Sequence, residues 1–130
     1  MATVDAATSG RGNYPASANL SSAQTGNADS TNTVDRGGSV GPALLKVTTT
    51  VGATPTVTVN IQGSADGTNF FNVAYALVGT PETVAVAAIT ITTATTNHYI
   101  LRANHPWRFL KLAYSANTNV TLTADLYSFG

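Results

Sequence analysis

From residue 43 onward, the chain shows the alternation of apolar and polar residues that is typical of β-strands. In TVTVNIQ, residues 56–62, aliphatic residues occupy every second position, which predicts a strand with one buried face and one face in water. No segment has a helical period. The sequence therefore predicts an all-β fold: an antiparallel β-sandwich, of jelly-roll or immunoglobulin-like type, of about seven strands. The predicted strands are residues 43–51, 56–62, 70–78, 83–92, 98–103, 107–114 and 120–129.

One of these strands, TVAVAAITIT at residues 83–92, changes phase along its length. Val84 and Val86 share one parity, whereas Ile89 and Ile91 share the other. A regular strand cannot turn both pairs to the same face, so a bulge or corner is predicted at the alanines between them. Because this segment is apolar, uncharged and prone to β-pairing, we expect a partner to cover one of its edges or faces.

Residues 1–42 have a different composition. Half of them are Ser, Thr, Gly or Asn, so the segment alone offers too little apolar surface to offset the entropy of ordering it. We expect an extended or flexible N-terminal arm over residues 1–42, with a hinge at 36–42, followed by the sandwich domain at 43–130. A disordered tail is one interpretation of this arm. The other is that four spaced apolar residues anchor it on a neighbouring molecule: Val4, Tyr14, Leu20 and Val34.

Charge is scarce in this chain. Only 9% of the 130 residues are charged, and six basic residues balance six acidic ones. The protein therefore lacks both the field that steers proteins to nucleic acid and the repulsion that keeps copies apart. Arg102, Arg108 and Lys111 lie near Trp107 and Phe109, but three cations are few for a site that stacks bases. We expect no nucleic-acid partner, and a surface that packs against another protein.

The absence of cysteine excludes a disulfide framework, a thiol nucleophile and a thiolate metal site. The longest apolar stretch, residues 84–89, is too short to span a bilayer, and the chain does not open on a signal-peptide pattern. We therefore expect synthesis in the cytoplasm and no membrane partner.

Catalytic groups are sparse as well. His98 and His105 lie on different predicted elements, and no carboxylate is spaced to complete a triad or a metal motif with them. The sequence contains neither a nucleophile elbow nor a phosphate-binding loop. We expect no enzymatic activity, no cofactor and no metal.

The segment GSADGTN, residues 63–69, joins two predicted strands. Asp66 followed by Gly67 favours a hairpin turn, because glycine adopts positive φ without strain and aspartate bonds its own backbone. A calcium site would need six to eight oxygen ligands, and this loop has a single carboxylate. A turn is therefore predicted, after which Phe70 and Phe71 face opposite sides of the sheet, one of them toward the core.

Three stretches of the chain resemble a known group of proteins. The alternating strand with GSADGTNFF, the later HPWRFLKLAY and the closing VTLTADLYSFG are similar to small β-sandwich structural proteins of tailed bacteriophages. The resemblance covers about residues 43–130, and with the polar arm the chain is most similar to a capsid decoration, or cement, protein. This implies a virion structural protein on the capsid surface, bound to the major capsid protein as a homotrimer, that stabilises the head. The arm would then lie along the capsid or a neighbouring subunit.

Two other functions remain open. A tail component or fibre adaptor would share the phage group and differ in its copy number per virion. A carbohydrate-binding module uses the same fold, and it would need aromatic side chains lined up on one exposed face. The candidates for such a platform are Trp107, Tyr99, Tyr75 and Tyr127.

Overall fold

The computed structural model describes residues 2–5, 16–37, 42–101 and 107–128, with the backbone alone for 2–5 and 16. Every regular element in these residues is a β-strand, which confirms the all-β prediction. The strands are β1 (Ala2–Asp5), β2 (Ala16–Gln24), β3 (Asn32–Asp35), β4 (Ala43–Ser64), β5 (Phe71–Asn72), β6 (Tyr75–Leu77), β7 (Val84–Ala85), β8 (Ile89–Ile91), β9 (Thr96–Leu101) and β10 (Phe109–Ser128).

Two long strands run through the whole fold. β4 and β10 pair antiparallel along most of their lengths, and the ladder changes register between Ser115 and Val120. A bulge of this kind bends the strands without ending them. Two pairs of predicted strands are therefore single strands: 43–51 joins 56–62, and 107–114 joins 120–129.

Asparagine side chains build the bend. Asn119 has a positive φ of 55°, a conformation that asparagine tolerates better than most residues. Its Nδ2 donates to the Ala53 carbonyl across the ladder at 2.6 Å. Asn117 bonds both the N–H and the carbonyl of Val120, so backbone groups that leave the ladder here still find partners.

Each half of the bent ladder carries its own neighbours. Residues 43–51 of β4 and 120–128 of β10 pair with β9 and β2, whereas the other halves pair with β3, β5 and β8. The inward residues of both halves form one buried cluster, so the halves lie face to face as the two layers of a sandwich. β6 and β7 extend the first layer beyond β9. The predicted antiparallel sandwich is confirmed, with β1 and β3 as a parallel pair beside it.

Where the structure describes it, the segment before residue 42 is part of this fold. β2 and β3 both pair with β10. Leu20 is 1% exposed and Val34 is 0% exposed, and both belong to the core cluster. The prediction of a separate arm is therefore wrong over residues 16–37. Leu20 and Val34 are not anchors for a neighbouring molecule, because their own chain already buries them.

The other two predicted anchors have different outcomes. Val4 lies in β1, which pairs in parallel with β3 so that Val4 is opposite Val34. Tyr14 lies outside the described residues. The anchoring role stays a prediction for these two residues.

Polar contacts fasten β2 where apolar residues are few. Ser21 donates its hydroxyl proton to Gln24 Oε1 at 2.6 Å, so the 2.8 Å contact between Ser21 Oγ and the Tyr114 hydroxyl has the tyrosine as donor. Gln24 also accepts from the Thr31 N–H and donates to the Asp29 carbonyl. Hydrogen bonds from serine and glutamine side chains thus help to hold β2 in the fold, and the hydrophobic content of the segment does not predict them.

The predicted corner in residues 83–92 is confirmed. β7 pairs with β6 in the first layer, and β8 pairs with β4 in the second. The three residues between them, 86–88, form no strand, so the chain crosses from one layer to the other there. This crossing accounts for the phase change in the sequence.

Candidate interaction surface

The loop between β4 and β5 is a self-contained turn. Asp66 accepts hydrogen bonds from the Ser64 hydroxyl and from the N–H groups of Thr68 and Asn69, all at Oδ1, and from Asn69 Nδ2 at Oδ2. The backbone bonds from Asn69 and Thr68 hold the pKa of Asp66 well below its usual range. Gly67 adopts a φ of 78°. The predicted turn is confirmed, and its carboxylate is occupied by its own loop.

Among the residues that the structure describes, no three His, Asp or Glu side chains are grouped to hold a metal ion. The two phenylalanines after the turn also differ from expectation. Phe71 is 59% exposed, and Phe70 is half-buried with Lys111 Nζ 4.3 Å from its ring centroid. Neither ring belongs to the core cluster.

The basic residues near the start of β10 are paired with carboxylates. Arg108 donates from Nε and Nη2 to the two carboxylate oxygens of Asp35 at 2.8 and 2.9 Å. This bidentate contact is the largest cause of the lowered pKa of Asp35. Lys111 Nζ lies 2.7 Å from Asp29 Oδ2. These cations serve to hold β3 and the preceding loop against β10.

The candidate histidine chemistry finds no added support. His98 lies in β9 directly opposite Lys46 of β4. His105 and Arg102 lie outside the described residues.

The four aromatic residues proposed as a carbohydrate platform do not share an exposed face. Tyr99 is 2% exposed, and Tyr75 packs against it edge-on with ring centroids 5.5 Å apart. Burial raises the pKa of both tyrosines. Trp107 lies instead beside Phe71, at a centroid distance of 6.1 Å. The platform hypothesis is therefore wrong for this set, because packing takes Tyr99 into the core.

A surface cavity of about 420 Å³ lies at the bend of the β4–β10 ladder. Its walls are uncharged, and two of its polar side chains, Asn117 and Asn119, are committed to the backbone bonds of the bend. The cavity is therefore a consequence of the bend and offers no charged group to a ligand. Its lining residues are Thr25, Gly26, Thr50, Val51, Gly52, Asn117, Asn119, Val120 and Thr121.

The outer face of the first layer carries a continuous row of apolar side chains. Directly opposed residues in antiparallel strands place their side chains on the same face, and the register links one residue from each of five neighbouring strands. These five residues, here called the apolar row, are Tyr127, Leu44, Ile100, Ala76 and Val84. Their chain neighbours Leu45 and Tyr99 face the core, so the row lies on the opposite face of the layer. Within it Ala76 is 1% exposed, and the other four side chains are partly exposed.

The rest of this outer face is polar. The next row is Asp125, Lys46 and His98, and the one after it is Thr123, Thr48 and Thr96. Such a face is suited to water. The apolar row is the exception, and it ends at β7, the last strand of this layer in the described part of the chain.

β7 and its hairpin partner β6 expose further apolar residues. Four aliphatic side chains, here called the β7 edge, are about half exposed: Leu77 at 47%, Val78 at 50%, Val84 at 44% and Val86 at 54%. Several exposed apolar side chains at one sheet edge are typical of an interaction surface. The apolar row and the β7 edge together are the candidate functional site of this protein.

Sequence reasoning found part of this surface. The uncharged segment 83–92 indicated a covered edge or face, and Val84 and Val86 come from it. The apolar row was missed, because its five members come from five strands and only the pairing register brings them together.

None of the described residues forms a helix with the length and apolar character needed to cross a membrane. No family model matches the sequence, and no curated protein matches it. A solved structure does match: the crystal structure of the SPBc2 prophage-derived protein YomS, with a TM-score of 0.62 and 8% sequence identity, over 87% of this chain and 91% of that one. The chain is thus similar to YomS in its fold along nearly the whole length of both proteins.

Proposed function

We propose that this protein is a structural component of a bacteriophage virion, and that it decorates the outside of the capsid by binding the major capsid protein. The observation that carries the proposal is the fold shared with a prophage-derived protein over 87% of the chain. The resemblance of residues 43–130 to phage head and tail proteins supports the same origin.

The candidate interaction surface supports a role in assembly. Its apolar row interrupts a face that is otherwise threonine-rich and polar. The low charge of the chain gives little repulsion between neighbouring copies on a shell. We assign the row to the contact with the capsid, where its four partly exposed side chains, those other than Ala76, become covered. The homotrimer that the resemblance implies stays a prediction.

The proposal is tested by locating the protein in particles. Purified virions are separated into heads and tails, and the protein is quantified in each fraction by mass spectrometry. We expect it in heads, in many copies, and released before the major capsid protein by mild denaturant. A protein found only in tails supports the tail-component alternative, and one absent from particles contradicts a virion role.

A binding assay then tests the apolar row. Purified protein is titrated onto heads that lack it, comparing Ile100→Thr in the row with Val51→Thr at the distant bend. Both changes replace a β-branched apolar residue by threonine on an accessible strand. We expect the first to weaken binding by roughly tenfold, as expected for loss of an apolar contact, and the second to leave it unchanged. Equal affinities would remove the row from the contact.

A further inference from the structure

We propose that the β7 edge is covered by a second copy of the same chain, through antiparallel pairing of the two β7 strands about a two-fold axis at Ala85. The proposal concerns self-association in solution, and it does not depend on the phage function proposed above.

Among the described residues, no strand pairs with β7 on the side where the second copy would bind. β7 is the last strand of its layer, and within the described residues only β6 pairs with it. Natural edge strands are protected by lysine, proline or charged side chains. Residues 83–91 contain none of these. Val84 and Val86 are instead about half exposed, so this edge favours pairing.

The segment is complementary to itself. β7 itself is Val84–Ala85, so the pairing extends the strand by one residue, to Val86. A two-fold axis at Ala85 then places Val84 of one copy opposite Val86 of the other, and the reverse, with the two Ala85 residues opposite each other. Pairs of β-branched side chains are favourable across antiparallel strands. An isologous contact of this kind closes after two copies and leaves no further free edge at β7.

Charge also permits this pairing. The nearest ionisable residue along the chain is Glu82, in the turn before β7. Glu82 precedes the axis at Ala85 by three residues, so in an antiparallel pairing the Glu82 residues of the two copies lie on opposite sides of the axis, at opposite ends of the contact. Like charges therefore do not meet, whereas a lysine at position 84 or 86 would be placed beside its neighbour's strand.

The pairing also joins two surfaces. Val84 is the last residue of the apolar row, so the rows of the two copies would end beside each other at the axis, offset by two residues, on the same face of the joined sheet. The product of this pairing is a dimer, which differs from the homotrimer that the resemblance implies.

The test uses the purified full-length protein. Sedimentation equilibrium is measured for the wild type, for Val84→Lys with Val86→Lys, and for Val51→Lys, a matched change at an exposed valine of the bend. We expect the wild type and Val51→Lys to be dimers at micromolar concentration, and the double variant to dissociate at least 100-fold more readily while melting cooperatively. A monomeric wild type, or an oligomer unaffected by the double change, would overturn the proposal.

A second measurement reports the register. The chain contains no cysteine, so Ala85→Cys introduces one thiol per copy, and the two-fold axis places these thiols opposite each other. Oxidised glutathione should convert this variant to a disulfide-linked dimer, since Cβ atoms of opposed residues lie within the reach of a disulfide or close to it. Val51→Cys, treated in the same way, should stay uncrosslinked. A dimer in which Cys at position 85 links no faster than Cys at position 51 would contradict the pairing.

Discussion

Residues 16–37 and residues 70–92 attach to the two-layered sandwich in opposite ways. The first segment is polar, yet β2 and β3 lie along β10 and bury Leu20 and Val34 completely. The second is rich in aliphatic and aromatic residues, yet it forms only short strands and leaves Leu77 and Val84 about half exposed.

The difference between the two segments shows that backbone pairing and polar side-chain contacts, more than apolar content, decide which segment becomes part of the sandwich. Ser21, Gln24 and Tyr114 form a hydrogen-bonded chain between β2 and β10, in which the contact of Ser21 with Tyr114 is buried. Residues 70–92 gain fewer such contacts, although Tyr75 donates to the Ala87 carbonyl at 2.8 Å. Val73 and Ile91 of that segment are buried, whereas the aliphatic side chains of the β7 edge are exposed.

The largest expected effect on stability comes from truncating one leucine in each of the two segments. Leu20→Ala removes a side chain that is 1% exposed, whereas Leu77→Ala removes one that is 47% exposed. We expect the first to lower the free energy of unfolding by about 2–5 kcal/mol, and the second to change it by less than about 0.5 kcal/mol. Urea denaturation at one protein concentration measures both. If Leu20→Ala proved as mild as Leu77→Ala, residues 16–37 would be an arm after all.

Sequence patterns were sufficient to predict the features that depend on residues close together in the chain. Strict alternation predicted that Val57, Val59 and Ile61 face inward, and they are 0%, 0% and 4% exposed. The turn at Asp66 and the corner after Val86 were also predicted, because local chemistry determines both.

Features that depend on distant partners were not predictable in this way. β2 has no apolar period, and its place beside β10 depends on hydrogen bonds such as the one between Ser21 and Tyr114, 93 positions apart. The apolar row depends on the register of five strands. The union of 43–51 with 56–62 depends on Asn119, which sustains the ladder through a bend that composition alone marks as a break.

The Tyr114 hydroxyl, which helps to attach β2 to β10, also predicts that the protein loses stability at high pH. Burial raises the pKa of Tyr114 to about 12, from the ordinary tyrosine value of 10.0. A raised pKa gives stability that is complete below the unfolded value and is lost as the pH rises from about 10 through about 12. The full loss is about 3 kcal/mol, at about 1.4 kcal/mol per pKa unit.

Urea midpoints measured between pH 8 and pH 12 follow this loss. Tyr114→Phe should start lower at pH 8, since it removes the hydroxyl that donates to Ser21. It should then decline less steeply, with Tyr75 and Tyr99 supplying the remaining slope. Parallel curves for the two proteins would show that Tyr114 ionises as readily in the folded state as in the unfolded one.

Alanine substitutions at two glycines compare the packed interior, at Gly63, with the turn of the β7 hairpin, at Gly79. A Cβ at Gly63 would lie 2.6 Å from Trp107 Cγ and 2.9 Å from Val73 Cγ1, whereas one at Gly79 would meet no atom within 4 Å. We expect Gly63→Ala to destabilise the protein by about 1–3 kcal/mol through overpacking. Gly79→Ala should be close to neutral or slightly stabilising. Thermal melts of both variants are sufficient, and equal melting temperatures would mean that Trp107 moves aside without cost.

The smallest expected effect concerns charge, which residues 16–37 use for attachment and residues 70–92 hardly contain. Asp35 of β3 accepts two bonds from Arg108 and one from the Gly37 N–H, and the arginine is the largest cause of its lowered pKa. A lowered pKa gives stability that is complete above the unfolded value of about 3.9 and is lost as the pH falls below it.

Asp35→Asn should therefore melt at a lower temperature than the wild type at pH 7, and the difference should shrink between pH 4 and pH 2. Glu82→Gln is the only charge change available in residues 70–92, and its melting temperature over the same pH range is compared with that of Asp35→Asn. A difference between Asp35→Asn and the wild type that stayed constant down to pH 2 would show that the ion pair does not hold β3 against β10.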